Sequence, residues 1–373
     1  MTVRFQFEYP ERLRVAFIGA GNHSYRNVYP SFQYAPVDLV AVCDINIDRA
    51  KAYARAFGAA GAYDDHQEML KTEQPDAVFI VTSYTPEGDV QATALAENCL
   101  RAGAHVWMEK PTAASIAQLD RLQMAADETG RIVMTGLKKI FTPAMEKVKT
   151  IISSPEFGTV SSISVRYPQP IPDPADRSDD VKMLSLLSHI FHPGAILTYL
   201  MGPVRRLSYE WEPRTGASVS SLLFESGAIG VLHLVAGISD SSPLERVEVI
   251  GTGAGQREGS RGGANIVVDN GVRVTYYRPG ANRQQGYRRG GSYLVDDAVA
   301  PLSWEPEFSL GGLTNNSLFT LGYVPEVVHF CESVLAGKPP EKGTLADVRN
   351  ILKLYELYRR LPAGESATIE AGN

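Results

Sequence analysis

Cysteine is scarce in this chain, which has three cysteines in 373 residues. Cys43, Cys99 and Cys331 are far apart and odd in number, so they form neither a disulfide framework nor a CxxC metal knuckle. The seven histidines show no metal-ligand spacing such as HExxH, and no metal site is predicted. We expect the cysteines to be small buried hydrophobic residues.

Long apolar runs and an excess of basic charge are also absent. No stretch of about 18 apolar residues and no basic-then-apolar leader is found, which predicts neither a membrane span nor secretion and favours the cytoplasm. The net charge of -6 and the pI near 5.7 argue against a nucleic-acid partner. The sequence contains no GxSxG pattern, so a nucleophilic serine of that type is not predicted.

The length of the chain predicts two domains, because single cores stop growing at roughly 250 to 300 residues. Apolar residues make up 44% and charged residues 21% of the sequence, which is typical of globular proteins. We expect the first domain over residues 1–140 and the second over residues 141–373.

The first domain shows repeated βα units. Short apolar runs predict strands at Leu13–Ile18, Asp38–Cys43, Ala77–Thr82, His105–Met108 and Ile132–Thr135. Helical patterns separate several of them, at Ala50–Phe57, Ala92–Ala102 and Ile116–Thr129. Such alternation predicts a doubly wound parallel sheet of the Rossmann type.

The second part has a different pattern, with many strands in succession. They are predicted at Thr159–Arg166, Ser218–Phe224, Ala228–Val235, Arg246–Ile250, Asn265–Val268 and Val272–Tyr277. The segment Arg278–Asn316 predicts a long loop, and helices are predicted at Val324–Leu335 and Leu345–Leu361, the second capped by Thr344 or Asp347. An α+β domain with a large, mostly antiparallel open sheet is expected.

A glycine turn, GAGNHS at residues 19–24, follows the first strand. Gly19 permits a tight turn, and Gly21 lets the backbone approach a pyrophosphate at the start of a helix. Ser24 takes the place of the third glycine of the dinucleotide fingerprint. The alternative is a simple turn at a strand end, but the βα context favours nucleotide binding.

Asp44 closes the second strand, where a carboxylate accepts hydrogen bonds from the adenosine ribose. This favours NAD over NADP, because a 2'-phosphate would be repelled. NADP stays possible if Arg49 compensates the charge. The alternative interpretation of Asp44 is a solvated residue at a strand end.

The string Trp107-Met108-Glu109-Lys110-Pro111 carries a charged pair and a proline to the carboxyl end of an apolar strand. Ligands of open α/β sheets bind at that edge. A lysine there can donate a hydrogen bond to a substrate oxygen and exchange a proton. The alternative is a surface Glu-Lys pair.

The sequence resembles the Gfo/Idh/MocA oxidoreductases over nearly its whole length. The matching segments are VAFIGAGNH at 15–23, AVCD at 41–44, AGAHVWMEKPTA at 102–113, TGLKKIFTPA at 135–144, FGTVSSISVRY from 157, and the closing helices over 323–360. The EKP signature at 109–111 is the most specific of these. By resemblance, Lys110 is the catalytic or substrate-orienting lysine, and Pro111 shapes the turn that faces the cofactor.

A second motif of that family, an aspartate followed four residues later by a histidine, corresponds here to Ser188 and His192. The resemblance implies that His192 is the acid/base residue and that serine replaces the aspartate. Without a carboxylate, the orientation and basicity of an imidazole depend on other groups. His189 competes for the role from about one helical turn away, and packing of both histidines around a helix is the alternative.

Further residues are assigned to the cofactor on the strength of this pattern. The predicted cofactor-binding residues are Gly19, Gly21, Asn22, His23, Asp44, Thr82, Glu109, Lys110 and Pro111. Lys138 and Lys139, just after a predicted strand, either contact the cofactor or substrate or are solvated.

The expected function is NAD(P)-dependent hydride transfer to or from a carbinol carbon of a sugar, cyclitol or related polyol. A regulator or sensor that binds the dinucleotide without turnover is the alternative, and Ser188 is its best support. A hydrolase-type member of the family is a third, weaker hypothesis, because it would need different acid/base groups. The resemblance also implies a homodimer or homotetramer formed through the C-terminal sheet.

Overall fold

A computed structural model describes residues 9–254, 263–279, 300–306 and 317–369 of the chain. It divides into two compact units, neither of which is continuous in sequence. Unit 1 comprises Met1–Phe141, Asp176–Ala195 and Ser317–Glu356, and unit 2 comprises Thr142–Ala175, Ile196–Asn316 and Leu357–Asn373. The predicted domain boundary at residue 140 stays a prediction.

Unit 1 is built on a six-stranded parallel sheet. Its strands are β1 (Leu13–Ile18), β2 (Val37–Cys43), β3 (Gly61–Tyr63), β4 (Ala77–Ile80), β5 (His105–Glu109) and β6 (Val133–Gly136). Their spatial order is β3-β2-β1-β4-β5-β6, which is the Rossmann order with a switch point between β1 and β4. The predicted fold of the N-terminal part is confirmed.

Helices follow most of these strands, and their ends carry the expected capping residues. They are α1 (Ile47–Phe57), α2 (His66–Glu73), α3 (Gln91–Arg101) and α4 (Ile116–Thr129). Asn46 caps α1 by accepting from two backbone N–H groups, and Gly58 ends it in the left-handed conformation. Local sequence therefore sets where these helices begin and end.

The segment after β1 differs from the regular helix that the sequence predicts there. A π-helical turn covers Ser24–Val28 and a 3-10 helix covers Tyr29–Tyr34. Pro30 lies in the first turn of the 3-10 helix, where its missing backbone N–H removes one donor. The start of this segment still lies at the carboxyl end of β1.

Unit 2 contains a nine-stranded sheet. Its strands are β7 (Val160–Tyr167), β8 (Val204–Trp211), β9 (Ser218–Phe224), β10 (Ile229–Leu234), β11 (Arg246–Gly251), β12 (Ala264–Asp269), β13 (Arg273–Tyr277), β14 (Leu302–Trp304) and β15 (Ser366–Thr368). The order is β14-β13-β12-β11-β7-β10-β9-β8-β15, and all pairs except β7 with β10 are antiparallel. The predicted mostly antiparallel sheet is confirmed.

Side chains of this sheet alternate between buried and exposed positions along β9, β10 and β11. The pairing register places five exposed apolar residues on one face, at fractional exposures between 37% and 59%. They are Val219, Ile229, Val231, Ile250 and Tyr277. The outer face is thus partly apolar.

The remaining helices are α5 (Pro143–Ile152), α6 (Asp180–Met201), α7 (Ser317–Thr320), α8 (Tyr323–Leu335) and α9 (Leu345–Arg360). Thr344 and Asp347 act together at the start of α9, since each side chain accepts from the backbone N–H of the other. The two predicted closing helices are confirmed.

Several elements correct the sequence expectations. The strands β3, β8 and β15 and the helices α2, α5 and α7 were not predicted; in β8, basic residues interrupt the apolar pattern. The predicted loop Arg278–Asn316 contains the strand β14, and residues 280–299 and 307–316 of that loop lie outside the described residues. Strand β14 is short, lies at the edge of the described sheet and pairs with β13.

Helix α6 is 22 residues long and has the length and hydropathy of a membrane span. However, 67% of its most apolar window is buried inside the protein. That burial is typical of a core helix, which is apolar all round because it is surrounded by protein.

Candidate active site

The glycine turn after β1 contains two glycines with different surroundings. Gly19 has a φ of +113°, and a Cβ built there would lie 1.8 Å from the carbonyl oxygen of Val81. A Cβ on Gly21 would meet no atom within 4 Å. Gly19 is therefore needed for the fold itself, whereas Gly21 borders open space that a ligand can use.

Asp44, at the end of β2, is buried and holds this turn in place. One carboxylate oxygen accepts the backbone N–H of Ala20 at 2.8 Å. The other accepts from the backbone N–H of Asn46 at 2.9 Å and from Arg49 Nη2 at 2.8 Å. The Arg49 side chain is half exposed, so a guanidinium lies beside the carboxylate at the sheet edge.

A cavity of about 180 Å³ lies at the carboxyl ends of β4 and β5 within unit 1. Its polar lining comes from four segments of the unit that are distant in sequence. The polar and charged residues are His23, Thr82, Ser83, Tyr84, Glu109, Lys110 and Ser188. The EKP signature, the glycine-turn segment and α6 thus meet at the edge where open α/β sheets bind ligands.

Glu109 is central to this group. Its Oε1 lies 3.6 Å from His23 Nε2 and 4.0 Å from Lys110 Nζ. Burial lowers the pKa of His23, and the Glu109 carboxylate opposes that effect only in part. On the other side, a Cβ on Gly136 would lie 2.7 Å from Glu109 Oε2 and 2.9 Å from the buried Trp107 ring, so glycine there makes room for the carboxylate.

Lys110 is largely buried and donates to the hydroxyl of Ser188 over 3.4 Å. Ser188 lies on α6, and the Lys110-Pro111 peptide bond is cis. The Ser188 hydroxyl also lowers the pKa of Tyr84, although burial raises it by more. Ser188 therefore contacts Lys110 of the EKP segment.

His192 and His189, one turn apart on α6, have contrasting surroundings. His192 is buried, and its pKa lies well below the usual value because of burial and the charges of Lys110, Lys139 and Lys138. His189 is exposed, and its Nδ1 lies 2.8 Å from the carbonyl oxygen of Ser185. Pro193 follows His192 inside the helix and supplies no backbone donor to the preceding turn.

A second polar group surrounds the start of α8. Lys138 Nζ donates to the hydroxyl of Tyr323 at 2.7 Å, and burial lowers the pKa of Lys138. Glu326 is fully buried, and among the described residues neither of its oxygens has a hydrogen-bond partner; the nearby Leu137 N–H is engaged by the carbonyl of Thr135. Burial, with the charge of Glu109, raises the pKa of Glu326 well above its usual value, which favours the neutral acid.

Two buried polar atoms in the cavity suit a bound dinucleotide. Thr82 Oγ1 and His23 Nε2 are shielded from solvent and have no hydrogen-bond partner within the described part of the chain. Together with the open space at Gly21, they leave donors and acceptors for a ligand at the switch point of the sheet. Asn22, by contrast, is exposed at the start of the helical segment. These residues fit the cofactor that the sequence predicts.

Sequence reasoning missed Tyr84, Tyr323 and Glu326. Tyr84 follows β4 in a loop with no periodicity, so no local signal points to it. Glu326 had a signal, because it interrupts the apolar helical pattern of VPEVVHF and a charged residue on a core-facing side of a helix is unusual. Only the fold brings these residues close to Glu109 and Lys138.

A wider groove of about 1070 Å³ opens at the other end of the parallel strands, near Leu13, Asp76 and His105. It lies at the amino ends of β1, β4 and β5. Its larger volume does not make it the site, because the glycine turn, the EKP signature and the buried histidine lie at the opposite edge.

Comparison with known proteins shows similarity to oxidoreductases in sequence and in fold. Residues 13–137 match the family model described as an oxidoreductase family with an NAD-binding Rossmann fold. The chain is 26% identical over 207 residues to myo-inositol 2-dehydrogenase of Thermotoga maritima, covering 52% of this chain and 60% of that protein. It is 30% identical over 156 residues to D-glucoside 3-dehydrogenase of Escherichia coli, covering 41% and 43%.

The matched part of the chain therefore spans about half the length of these curated relatives. The fold extends further, since an oxidoreductase from Agrobacterium radiobacter, solved with NAD+, L-tartaric acid and magnesium, superposes with a TM-score of 0.71 at 15% identity over 96% of this chain and 98% of that one. Residues 13–137 of this chain thus resemble the Gfo/Idh/MocA oxidoreductases, a family described by its NAD-binding Rossmann fold.

Proposed function

We propose that this chain is an NAD(P)-dependent oxidoreductase that acts on a CH–OH group of a sugar, cyclitol or related polyol. The observation that carries the proposal is the contact of Lys110 with α6, one turn before the buried His192, at the carboxyl edge of an NAD-binding fold. A lysine and a neutral imidazole on one side of a cofactor site are the groups that manage the proton of an alcohol.

His192 is the proposed acid/base residue. Its lowered pKa keeps the imidazole neutral at pH 7, so it can accept the hydroxyl proton of an alcohol. The three lysines that lower this pKa also favour return of the proton in the reverse direction. His189 is less suited, because it is exposed and its Nδ1 is engaged by the helix backbone.

Lys110 is proposed to hold the substrate oxygen. Its ammonium group donates three hydrogen bonds at most, and the Ser188 hydroxyl takes one of them. Another can reach an oxygen in the cavity and stabilise negative charge that develops there. Ser188 thus positions the lysine, as a carboxylate would, but adds no charge.

The proposed cofactor residues lie along the edge that runs from the glycine turn to Pro111. Gly21 offers the open approach, Asp44 the ribose acceptor, and Thr82 and His23 the buried polar atoms. NAD, when bound, takes up the hydride from the carbinol carbon or returns it. The carboxylate of Asp44 favours NAD, and the adjacent Arg49 lets NADP bind more weakly.

A panel of sugars, cyclitols and polyols, incubated with NAD or NADP and followed at the absorbance of the reduced cofactor, tests the proposal. Replacing Lys110 by Met should lower kcat by about 10²–10⁴-fold, the usual contribution of a proton-managing group. The matched control is Lys71→Met on the exposed surface of α2, which should leave kcat unchanged.

Tight NAD binding without turnover on any member of the panel would contradict the enzyme and favour a dinucleotide sensor. Ser188, where the resemblance expects an aspartate, would explain such a result. Equal activity of the Lys110→Met variant and the parent chain would instead show that another group handles the substrate oxygen.

We also propose that two or four copies associate through the nine-stranded sheet. Its outer face carries the exposed apolar residues of β9, β10, β11 and β13, and burying apolar surface drives association. Light scattering of the Ile229→Lys variant should show dissociation. The matched control is Met124→Lys, at an exposed position of α4. A monomeric parent chain would contradict this assembly.

A further inference from the structure

Around Lys110 and Lys138, positively charged groups outnumber negatively charged groups. Glu109 lies 4.0 Å from Lys110 Nζ, and its charge opposes in part the lowering of the Lys138 pKa by burial. The Lys138 ammonium donates to Tyr323, a phenol whose own pKa is raised by burial and which therefore brings no negative charge. One carboxylate thus faces two half-buried ammonium groups.

Glu326 does not restore the balance. It is fully buried, and burial together with Glu109 favours its neutral form. A buried carboxylate with no hydrogen-bond partner among the described residues would cost several kcal/mol, so protonation is the cheaper state. The second acid of this region therefore contributes little negative charge.

Ser188 increases the imbalance. It occupies the position that the resemblance assigns to an aspartate, and it accepts from Lys110 as a neutral hydroxyl. One turn later, the pKa of His192 is lowered first by burial and then by Lys110, Lys139, Lys138 and His189. These charges therefore disfavour an additional positive charge on His192, beside the hydrogen bond from Lys110 to Ser188 one turn earlier.

The cofactor does not neutralise this region at its reactive end. The nicotinamide of an oxidised dinucleotide carries a positive charge, and its phosphates belong at the glycine turn. With a neutral polyol, the Glu109 carboxylate would be the anion shared by the Lys110 and Lys138 ammonium groups, which leaves one positive charge unmatched. An anionic group on the substrate would be attracted by both, in a half-buried region where charge interactions are stronger than in water.

We propose that the substrate of this site is an anionic carbohydrate, a sugar or polyol that carries a carboxylate or a phosphate, recognised by Lys110 and Lys138. The inference rests on the proposed function and narrows it. Carboxylate and phosphate share the charge and the oxygen acceptors that ammonium groups bind. Ser188 then acts as a specificity-determining residue, since a carboxylate at that position would repel the same anion.

Matched pairs of compounds test this inference: gluconate against glucitol, glucuronate against glucose, and glucose 6-phosphate against glucose. Two measurements are made for each pair, KM with NAD at low and at 0.3 M salt, and the shift in Tm with NAD present. We expect KM for the preferred anion to be lower than for its neutral partner by at least about tenfold, and to rise with salt. The carboxylate and phosphate pairs distinguish the two anion types.

The Ser188→Asp variant sharpens the test. It should raise KM for the anion by about tenfold and lower the selectivity over the neutral partner, because it adds a carboxylate beside Lys110. The matched control is Ser226→Asp, in an exposed turn where the hydroxyl accepts from Ala228 N–H and aspartate can do the same. The control should leave both KM values unchanged.

The outcomes separate the two proposals. Turnover of neutral polyols with KM values equal to or below those of the acids would overturn the anionic substrate and leave the oxidoreductase intact. No turnover on any compound would overturn the oxidoreductase, and a selective rise in Tm with the acids would then still support anion binding. No Tm shift with any acid, in the absence of turnover, would overturn both.

Discussion

The glycine turn at Gly19–Gly21 and the α6 turn at Ser188–His192 are two parts of one unit that differ in what defines them. The glycine turn is defined by shape, since a single added carbon at Gly19 would overlap the Val81 carbonyl. The α6 turn is defined by charge. Ser188 accepts a hydrogen bond from the Lys110 ammonium group, and the charges of Lys110, Lys138 and Lys139 add to burial in lowering the pKa of His192. Changes in the first should act on folding and cofactor affinity, and changes in the second on rate and pH dependence.

The largest effect is expected from Gly19→Ala. Its Cβ would lie 1.8 Å from a backbone oxygen of the neighbouring strand segment, and φ of +113° is strained for any side chain. We expect a loss of at least about 4 kcal/mol in the free energy of unfolding, at the upper end for single substitutions. Denaturant unfolding measures it. A variant as stable as the parent chain would show that the turn is not held as described.

The next effect concerns His192→Asn in the α6 turn. Removing the proposed base should lower kcat by about 10²–10⁴-fold. In the parent chain, oxidation should lose activity only as pH falls well below 6.5, because the pKa of His192 is lowered and its neutral form is the base. The variant should lose that acid limb of the pH profile. The matched variant His189→Asn should keep both rate and profile.

Gly21→Ala should separate binding from folding in the glycine turn. A methyl group there meets no atom within 4 Å, so the chain should unfold at the same denaturant concentration as the parent. The methyl group would occupy space proposed for the cofactor, and we expect Kd for NAD to rise by about tenfold or more. Unchanged Kd by isothermal titration would move the cofactor away from Gly21.

Glu326→Gln tests whether the buried Glu326 side chain is protonated in the folded chain. The folded pKa of Glu326 is raised, so the native chain keeps a proton that the unfolded chain releases. Its contribution to stability is therefore present below pH 4.5 and is lost as pH rises towards the folded pKa, at up to about 1.4 kcal/mol per pH unit. The variant should show a flatter profile of unfolding free energy between pH 5 and 7, within about the same limit.

The control for Glu326→Gln is Glu128→Gln, at an exposed position of α4. That variant should keep the pH dependence of the parent chain. If both variants unfold with the same profile as the parent, Glu326 is not the protonated group.

The smallest effect is expected from Ser188→Ala. It removes a neutral acceptor of Lys110 over 3.4 Å, and a hydrogen bond of this kind contributes about 0.5–1.5 kcal/mol. The corresponding loss in kcat is about 3- to 10-fold. A loss as large as that of His192→Asn would show that Ser188 takes part directly in proton transfer.

Most of the parallel sheet could be predicted from the sequence, because four of its strands (β1, β2, β5 and β6) are apolar runs that end at glycine or at a charged residue. Leu13–Ile18 is both the predicted and the observed first strand. In unit 2 the pattern is weaker, and β8 was missed because Arg205 and Arg206 interrupt its apolar positions. Alternation identifies a strand only when its exposed side chains are polar and its buried ones are apolar throughout.

Only part of the candidate site could be predicted from the sequence. Gly19, Asp44 and Lys110 lie in local patterns with a fixed relation to strand ends, so their place at one edge follows from the sequence. Tyr84, Tyr323 and Glu326 have no such relation. Their proximity to Glu109 and Lys138 depends on how α8 and the loop after β4 pack on the sheet.

The sequence alone determined the doubly wound parallel sheet, the glycine turn and the lysine at the strand end, because periodicity and turn residues act over short stretches of chain. Only the tertiary structure decided which histidine is buried, that Ser188 contacts Lys110, and that a neutral Glu326 leaves the lysines in excess. The physical reason is that burial and charge depend on neighbours distant in sequence, and these set the pKa values on which the proposed chemistry rests.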